Sequence, residues 1–583
     1  MIGETARLNT LWGQLVIEEL RRCGVDRFYV SPGSRSTPLT AAAARHPGIE
    51  ATVCLDERGA AFRAVGYARG AGRPAALVCT SGTAAANYLP AIVEASVDLV
   101  PMIVLTADRP PELRRTGANQ TIDQPGMFGR QVRWEFDLPC PDRDFPPEAL
   151  LTTVDQAVHM AVRAPAGPVH LNLMFREPLG PEGDPLADDP TVPATWRSSA
   201  EPYTRWSAPV LVPPEGDMER VTAAVARARR GILSVGRLAG GADRRSVAAL
   251  AARLGWPVFA DIRSGLRLGQ GGFPLAACLD QVLLAPGAAA RLAPDLILHL
   301  GGVPLSKRFG RFMADAGTAR LIVVGEHPMR HDPSHRVAHR LEASVAVFAD
   351  LLAARTPPSS RPEWTREVLE LSGGLDPVID ECLGAEPDAA EMAVARCVSR
   401  LIPPGHALFL ASSMPVRDMD MYGAADGPAV PVDANRGASG IDGTLASAIG
   451  FADGLDRPVT LITGDLSLAH DLSSLSMLAR SRQPMVVVVI DNGGGGIFHF
   501  LPIASQEDLL EPFFATPQPI SLDAIGALTG LPCRRVAPAG FAGAYRQAIE
   551  SGTTTVLILT SDRRGNRAAH ERLQRRLSDA CGS

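Results

Sequence analysis

Lysine is almost missing from this chain. Of its 57 basic residues only Lys307 is a lysine, and the other 56 are arginine. A coding bias that turns Lys into Arg wherever either serves accounts for the 56. The survivor points to a place where a compact ammonium cannot be exchanged for a planar guanidinium. Aromatic residues are also few, 5% of 583. No apolar run reaches the ~20 residues of a membrane span. No basic segment followed by an apolar one opens the chain, so no signal peptide is expected. A net charge of −6 excludes a general nucleic-acid binder. The nine cysteines form no Cys-x-x-Cys pair, the usage of buried thiols in a reducing cytoplasm.

What is present is an α/β pattern in three blocks. In the first, 1–177, Arg27–Val30, Ala51–Leu55, Ala75–Cys79, Met102–Thr106 and Val169–Leu173 read as strands between Ala-rich helices, the alternation of a doubly wound parallel sheet. Residues 178–214 carry nine prolines and no periodicity, so they read as a linker. A central block, 215–353, alternates again, with strands at Ile232–Val235, Val258–Ala260, Leu296–Leu300 and Leu321–Val324. A second linker is expected at 354–364. The last block, 365–583, closes with strand Thr555–Leu559 and a basic helical tail expected to be exposed.

The most informative segment lies in that last block. Strand Val459–Thr463 ends in Gly464-Asp465, a helical stretch is expected over Ser467–Arg480, and strand Met485–Ile490 empties into Asp491-Asn492-Gly493-Gly494-Gly495-Gly496-Ile497-Phe498. The spacing fits a strand, a crossover helix and a parallel neighbour, which puts Asp465 and Asn492 at adjacent carboxyl ends. A carboxylate, an amide oxygen and the Gly494 carbonyl suit Mg²⁺, which takes hard oxygen ligands and shares them with phosphate. A glycine loop lets backbone approach a ligand closely. The arrangement resembles the thiamine-diphosphate signature, with Leu466 in place of its third-position glycine and Asp491 in place of its first Asn. In the first block, Glu57 opens a helix after a strand, where a carboxylate can also simply complement the helix dipole.

Longer segments narrow the resemblance. Ser31-Pro32-Gly33-Ser34-Arg35-Ser36, Thr106-Ala107-Asp108-Arg109-Pro110-Pro111-Glu112-Leu113, Gly117-Ala118-Asn119-Gln120, Ser412-Ser413-Met414-Pro415-Val416-Arg417 and Asn435-Arg436-Gly437-Ala438-Ser439-Gly440-Ile441-Asp442-Gly443 resemble, in order and spacing, the 2-succinyl-5-enolpyruvyl-6-hydroxy-3-cyclohexene-1-carboxylate synthase (MenD) family of thiamine-diphosphate enzymes. That resemblance implies pyrimidine-binding, central and diphosphate-binding domains and a cofactor pair of thiamine diphosphate with Mg²⁺ or Mn²⁺. The implied reaction is decarboxylation of 2-oxoglutarate and 1,4-addition of the succinyl carbanion equivalent to isochorismate, in menaquinone biosynthesis.

The resemblance also implies residue roles. Glu57 would bond N1′ of the cofactor's aminopyrimidine, Ile441 beside Gly440 would bend the cofactor, and Gly464, Asp465, Leu466, Ser467 and Asn492 would hold its diphosphate, with metal on Asp465, Asn492 and Gly494. Ser413 and Arg417 would take 2-oxoglutarate. Arg35, Arg109, Lys307 and Arg308 would take isochorismate, Gln120 would bond the reacting centre, and Arg436 would add positive field. Ile497, Phe498 and Leu501 would form an apolar wall. The family supplies Glu57 and the diphosphate site from different subunits, implying a homodimer or a dimer of dimers.

Other readings compete. Another thiamine-diphosphate 2-oxoacid decarboxylase or an acetolactate-synthase-like carboligase would keep the cofactor and change the reaction. Arg417 could pair with Asp418 or Asp420. His499 and the group His327, His331, His335 and His339 read as solvated rather than metal-binding.

Overall fold

Apolar runs alternating with Ala-rich segments become three parallel sheets in the computed structural model, which describes residues 2–269, 271–317, 319–358 and 363–582. Residues 359–362, within the expected second linker, lie outside the described residues. The chain divides into two compact units. One comprises residues 1–209, 435–456 and 470–482, and the other 210–434, 457–469 and 483–583.

The first unit holds β1 (Arg27–Val30), β2 (Glu50–Val53), β3 (Ala76–Cys79), β4 (Met102–Asp108), β5 (Trp134–Leu138) and β6 (Pro168–Met174), ordered β2-β1-β3-β4-β6-β5 with every neighbour parallel. Strands β3, β4 and β6 are buried along their whole length, which is why they read as continuous apolar runs. Edge strand β5, Trp-Glu-Phe-Asp-Leu, exposes its middle residues and gave no such run.

The proline-rich stretch is a strap here. Trp196 is buried, and its Nε1 donates to Glu19 Oε2 at 2.5 Å. Tyr203 N donates to Glu19 Oε1 at 2.5 Å, and Thr204 N to Asp155 Oδ2 at 2.6 Å.

The helix Glu57–Ala71 lies along the helix Thr444–Leu455 with backbone nearly touching backbone. A methyl on Gly66 would strike the Ser447 carbonyl, and one on Gly450 the Arg63 carbonyl. A buried ion pair, Arg63 Nε to Asp453 Oδ2 at 2.8 Å, and a Tyr29 hydroxyl bond to the same oxygen at 3.0 Å fasten the seam.

The second unit carries two sheets. The central one holds β7 (Gly231–Val235), β8 (Val258–Ala260), β9 (Leu296–Leu300), β10 (Arg320–Gly325) and β11 (Val337–Glu342), ordered β11-β10-β9-β7-β8. The other holds β12 (Ala407–Leu410), β13 (Val432–Ala434), β14 (Val459–Gly464), β15 (Met485–Asp491), β16 (Cys533–Val536) and β17 (Thr555–Thr560), ordered β13-β12-β14-β15-β17-β16. Counted within each sheet, this order and that of the first unit's sheet are the same, second-first-third-fourth-sixth-fifth. All three sheets reverse direction between their first and third strands, and open α/β sheets bind ligands at the carboxyl ends beside such a point.

Three local expectations are corrected. The stretch after Asp465 is not one helix but Asp465–His470, a 3₁₀ turn at Leu472–Ser474 and Leu475–Leu478. The basic C-terminal helix, Arg563–Gly582, is not an exposed tail, because it buries Asn566, Ala569, His570, Leu573, Leu577 and Cys581. The histidines are not uniformly solvated. His327 and His499 are buried, and β11 occupies the stretch containing His339. Burial pushes the His327 imidazole down to about 4, with His331 adding to it.

Candidate active site

In the second unit, register sets the candidate metal ligands. Gly464 pairs with Ile490 at the end of the β14–β15 ladder, so Asp465 and Asp491 leave the sheet side by side and Asn492 follows. Burial, with the Asp491 charge adding to it, lifts the Asp465 carboxyl to about 6, while Leu466 N donates to Asp465 Oδ1 at 2.8 Å. Asp491 itself is taken by Arg535, at 2.7 Å. Asn492 Nδ2 donates to Glu391 Oε1 at 2.9 Å, whereas Asn492 Oδ1 is buried without a partner among the described residues.

Gly494 has φ +140°, and a Cβ there would collide with the Ala515 carbonyl, so only glycine closes this turn. Its own carbonyl accepts from Gly496 N at 2.9 Å, leaving a second lone pair. An acid with a raised pKa and an orphaned amide oxygen at adjacent strand ends form a donor set that fits a hard divalent cation.

At the switch point of the same sheet, Ser413 (φ +72°) precedes the helix Met414–Tyr422. Arg417 Nη1 donates back to the Ser413 carbonyl, and burial lowers the pKa of the guanidinium. The pairings that sequence leaves open are not made. Asp420 accepts from Ile262 N at 2.8 Å, and Asp418 faces His570 at 3.3 Å. Among the described residues the other two Arg417 guanidinium nitrogens carry no hydrogen bond, which leaves them for an anion. Ile497 and Phe498 lie in the turn Gly496–Phe500, with Phe498 edge-on to Phe514 at 5.5 Å, and Leu501 is exposed.

In the central sheet Lys307 lines a cavity of about 430 Å³ after β9, with Val303, Met313 and Val337 among its apolar walls. Arg308 instead pairs with Asp280.

In the first unit, Asp56 caps the Glu57 helix, accepting from Arg58 N at 2.9 Å, so Glu57 is not spent on the helix end. Glu57 is half-buried and makes no side-chain hydrogen bond among the described residues; burial raises the Cys79 thiol and the Tyr88 phenol, and the Glu57 charge adds a smaller push in the same direction. Gln120 (φ +56°) donates through Nε2 to the Ser81 carbonyl at 2.9 Å, just past β3. Arg35 is buried and held by the Phe175 carbonyl (2.7 Å) and Glu177 (2.9 Å); Arg109 lies 3.7 Å from the same Glu177.

The loop bearing Arg436, Gly440 and Ile441 is pinned by Glu94. Its carboxylate accepts from Gly437 N (2.9 Å) and Ala438 N (2.7 Å) and pairs with Arg69 at 2.7 Å. The structure thus groups Arg35, Glu57, Arg109, Gln120, Arg436, Gly440 and Ile441 in one unit. It groups Lys307, Arg308, Ser413, Arg417, Gly464–Ser467, Asn492, Gly494, Ile497, Phe498 and Leu501 in the other.

Comparison with known proteins agrees with this chemistry. Residues 12–127 match the thiamine pyrophosphate enzyme N-terminal TPP binding domain, 192–410 the middle domain of thiamine pyrophosphate enzymes, and 425–559 the C-terminal TPP binding domain. A 2-succinyl-5-enolpyruvyl-6-hydroxy-3-cyclohexene-1-carboxylate synthase of Rubrobacter xylanophilus is 50% identical over 98% of this chain and 99% of its own. Proteins of the same name from Salinibacter ruber (45%; 97% and 96%) and Prosthecochloris aestuarii (44%; 98% and 98%) follow. The chain belongs to this synthase family. It is a thiamine-diphosphate-dependent enzyme.

Within the synthase family frame, sequence reasoning missed the residues that hold the site in shape. Glu94 is a lone acid in the apolar helix Leu89–Val97, a signal that could have found it. Glu391 and Arg563 gave none. Arg563 donates to the Asn492 carbonyl at 3.1 Å and to that of Gly493, and pairs with Glu511 at 2.7 Å. Among the described residues, the one group of His, Cys, Asp or Glu close enough for a metal is Glu19, Cys23 and Asp155, and strap donors occupy its carboxylates.

Proposed function

We propose that this enzyme decarboxylates 2-oxoglutarate and adds the succinyl unit to isochorismate, forming 2-succinyl-5-enolpyruvyl-6-hydroxy-3-cyclohexene-1-carboxylate for menaquinone biosynthesis. The observation that carries the reading is identity of 50% over 98% of the chain to a relative bearing that name. Bound thiamine diphosphate supplies a nucleophilic carbon that stabilises the charge left by decarboxylation.

The chain's own residues do the rest. Asp465, Asn492 Oδ1 and the Gly494 carbonyl would hold Mg²⁺. Glu57 would hold a proton for the aminopyrimidine, and Ile441 would pack against the cofactor. Arg417 and Ser413 bind the distal carboxylate of 2-oxoglutarate, and Arg35, Arg109 and Lys307 neutralise the carboxylates of isochorismate, with Arg436 adding field. Gln120 orients the reacting centre, while Ile497, Phe498 and Leu501 exclude water. Arg308, already paired with Asp280, contributes only after exchanging that partner.

We infer a homodimer in which one subunit supplies Glu57 and the other Asp465 and Asn492. Nine free cysteines agree with a cytoplasmic setting, and no helix of the described residues is long and apolar enough to cross a membrane.

The test follows 2-oxoglutarate loss with thiamine diphosphate and Mg²⁺, with and without isochorismate. Product formation that needs isochorismate is expected. Rapid turnover of 2-oxoglutarate alone, or preference for pyruvate, would replace this reading with a simple decarboxylase or an acetolactate-synthase-like carboligase.

A further inference from the structure

Asn492 serves a cation only if its amide presents oxygen, and an asparagine side chain can present either end. Its Oδ1 is buried and unpartnered while Nδ2 is bonded, so something selects the orientation. We propose that Glu391 is a positioning residue for the diphosphate metal, holding the Asn492 amide so that Oδ1 stays free for the cation. The inference rests on the metal reading of Asp465 and Asn492 given above.

Glu391 lies in the first turn of the helix Ala390–Leu401 and is 2% exposed. Its Oε1 accepts from Asn492 Nδ2 at 2.9 Å and from Ser561 Oγ at 3.1 Å. Those donors follow β15 and β17, neighbours in the sheet, so one acid ties together the ends of two strands and a helix. An oxygen that already receives a hydroxyl proton is an acceptor toward Asn492 as well. Rotating the amide by half a turn would set oxygen against oxygen and bury an N–H₂ with nothing to receive it, a costly exchange.

The backbone of the same residue is held separately. Arg563 Nη1 donates to the Asn492 carbonyl at 3.1 Å and pairs through Nη2 with Glu511 at 2.7 Å. Main chain and side chain of Asn492 are thus fixed by different groups, which is how outer-shell partners orient metal ligands. A core acid kept only for packing would affect stability and leave the ion requirement alone.

The decisive measurement is the Mg²⁺ concentration giving half-maximal thiamine diphosphate binding, read by calorimetry on the full-length protein without substrate. Glu391→Met, which keeps volume but removes the acceptor, should raise that midpoint by about 10-fold or more. Glu391→Gln, which retains an acceptor oxygen, should stay within about threefold of wild type. In an Asn492→Ala background, Glu391→Met should add nothing, because the residue it orients is gone. A melting curve without ligands reports folding, and Glu391→Ala takes the place of Glu391→Met if that variant does not fold.

A folded Glu391→Met protein with the wild-type Mg²⁺ midpoint would overturn the proposal, as would equal losses on both Asn492 backgrounds. Thiamine diphosphate binding by the wild type that ignores Mg²⁺ would instead remove the metal reading itself.

Discussion

Asp56 and Glu57 are adjacent acids with different employment. Asp56 is consumed by the helix end, accepting from Arg58 N, while Glu57 stays free at a switch point. Replacing Glu57 with Gln keeps shape and removes the transferable proton. Turnover should fall by about 10²–10⁴-fold with thiamine diphosphate affinity little changed, and proton exchange at the cofactor's C2, followed by NMR, should slow in parallel. Exchange at the wild-type rate would deny the role. Arg417→Ala should weaken 2-oxoglutarate by about 1.5–3 kcal/mol, the worth of charged hydrogen bonds, and leave thiamine diphosphate affinity unchanged by calorimetry. A third residue, Glu177, sits between Arg35 and Arg109 where an incoming carboxylate would sit. Glu177→Gln should therefore lower the KM for isochorismate, and a raised KM would mean that Glu177 orients the arginines instead.

At the level of elements, the buried strands and the loops at their carboxyl ends were legible because burial on both faces leaves an unbroken apolar run. What escaped were several edge strands and one short interior strand, β12, whose Ala-Leu-Phe-Leu is buried throughout. Strand β5 carries Glu135 and Asp137, β16 is Cys-Arg-Arg-Val, and β11 holds His339 and Arg340, so none looks apolar. Long-range tethers such as Glu94 to Gly437 and Glu391 to Asn492 escaped too, since an acid's distant partner leaves no mark on its neighbours in sequence.

The strap shows the same blindness and carries its own prediction. Burial, and then Asp155, pushes the Glu19 carboxyl up to about 8. Its folded pKa exceeds its unfolded one, so this contribution to stability is complete below about 4.5 and is lost as pH rises through about 8. Melting temperature should decline across that window, and proteolysis within 178–209 should quicken. Glu19→Gln should flatten both trends, and an unchanged pH profile in that variant would assign the trend to other groups.

For the whole molecule, the sharing of sites between subunits can be tested by mixing. Glu57→Gln and Asp465→Ala damage opposite halves of the proposed site. If each site draws one half from each subunit, co-refolded or co-expressed variants form heterodimers with one doubly damaged and one intact site, and about a quarter of wild-type activity should return. Mixtures that stay inactive would place both halves on a single chain.

The seam between the Glu57 helix and the helix Thr444–Leu455 has a consequence of another kind. Gly66 and Gly450 are mid-helix, where glycine is ordinarily a poor choice, yet each leaves no room for even one added carbon. In a saturation library selected for growth without supplied menaquinone, those two codons should tolerate no replacement, alanine included, while surface glycines such as Gly216 accept many.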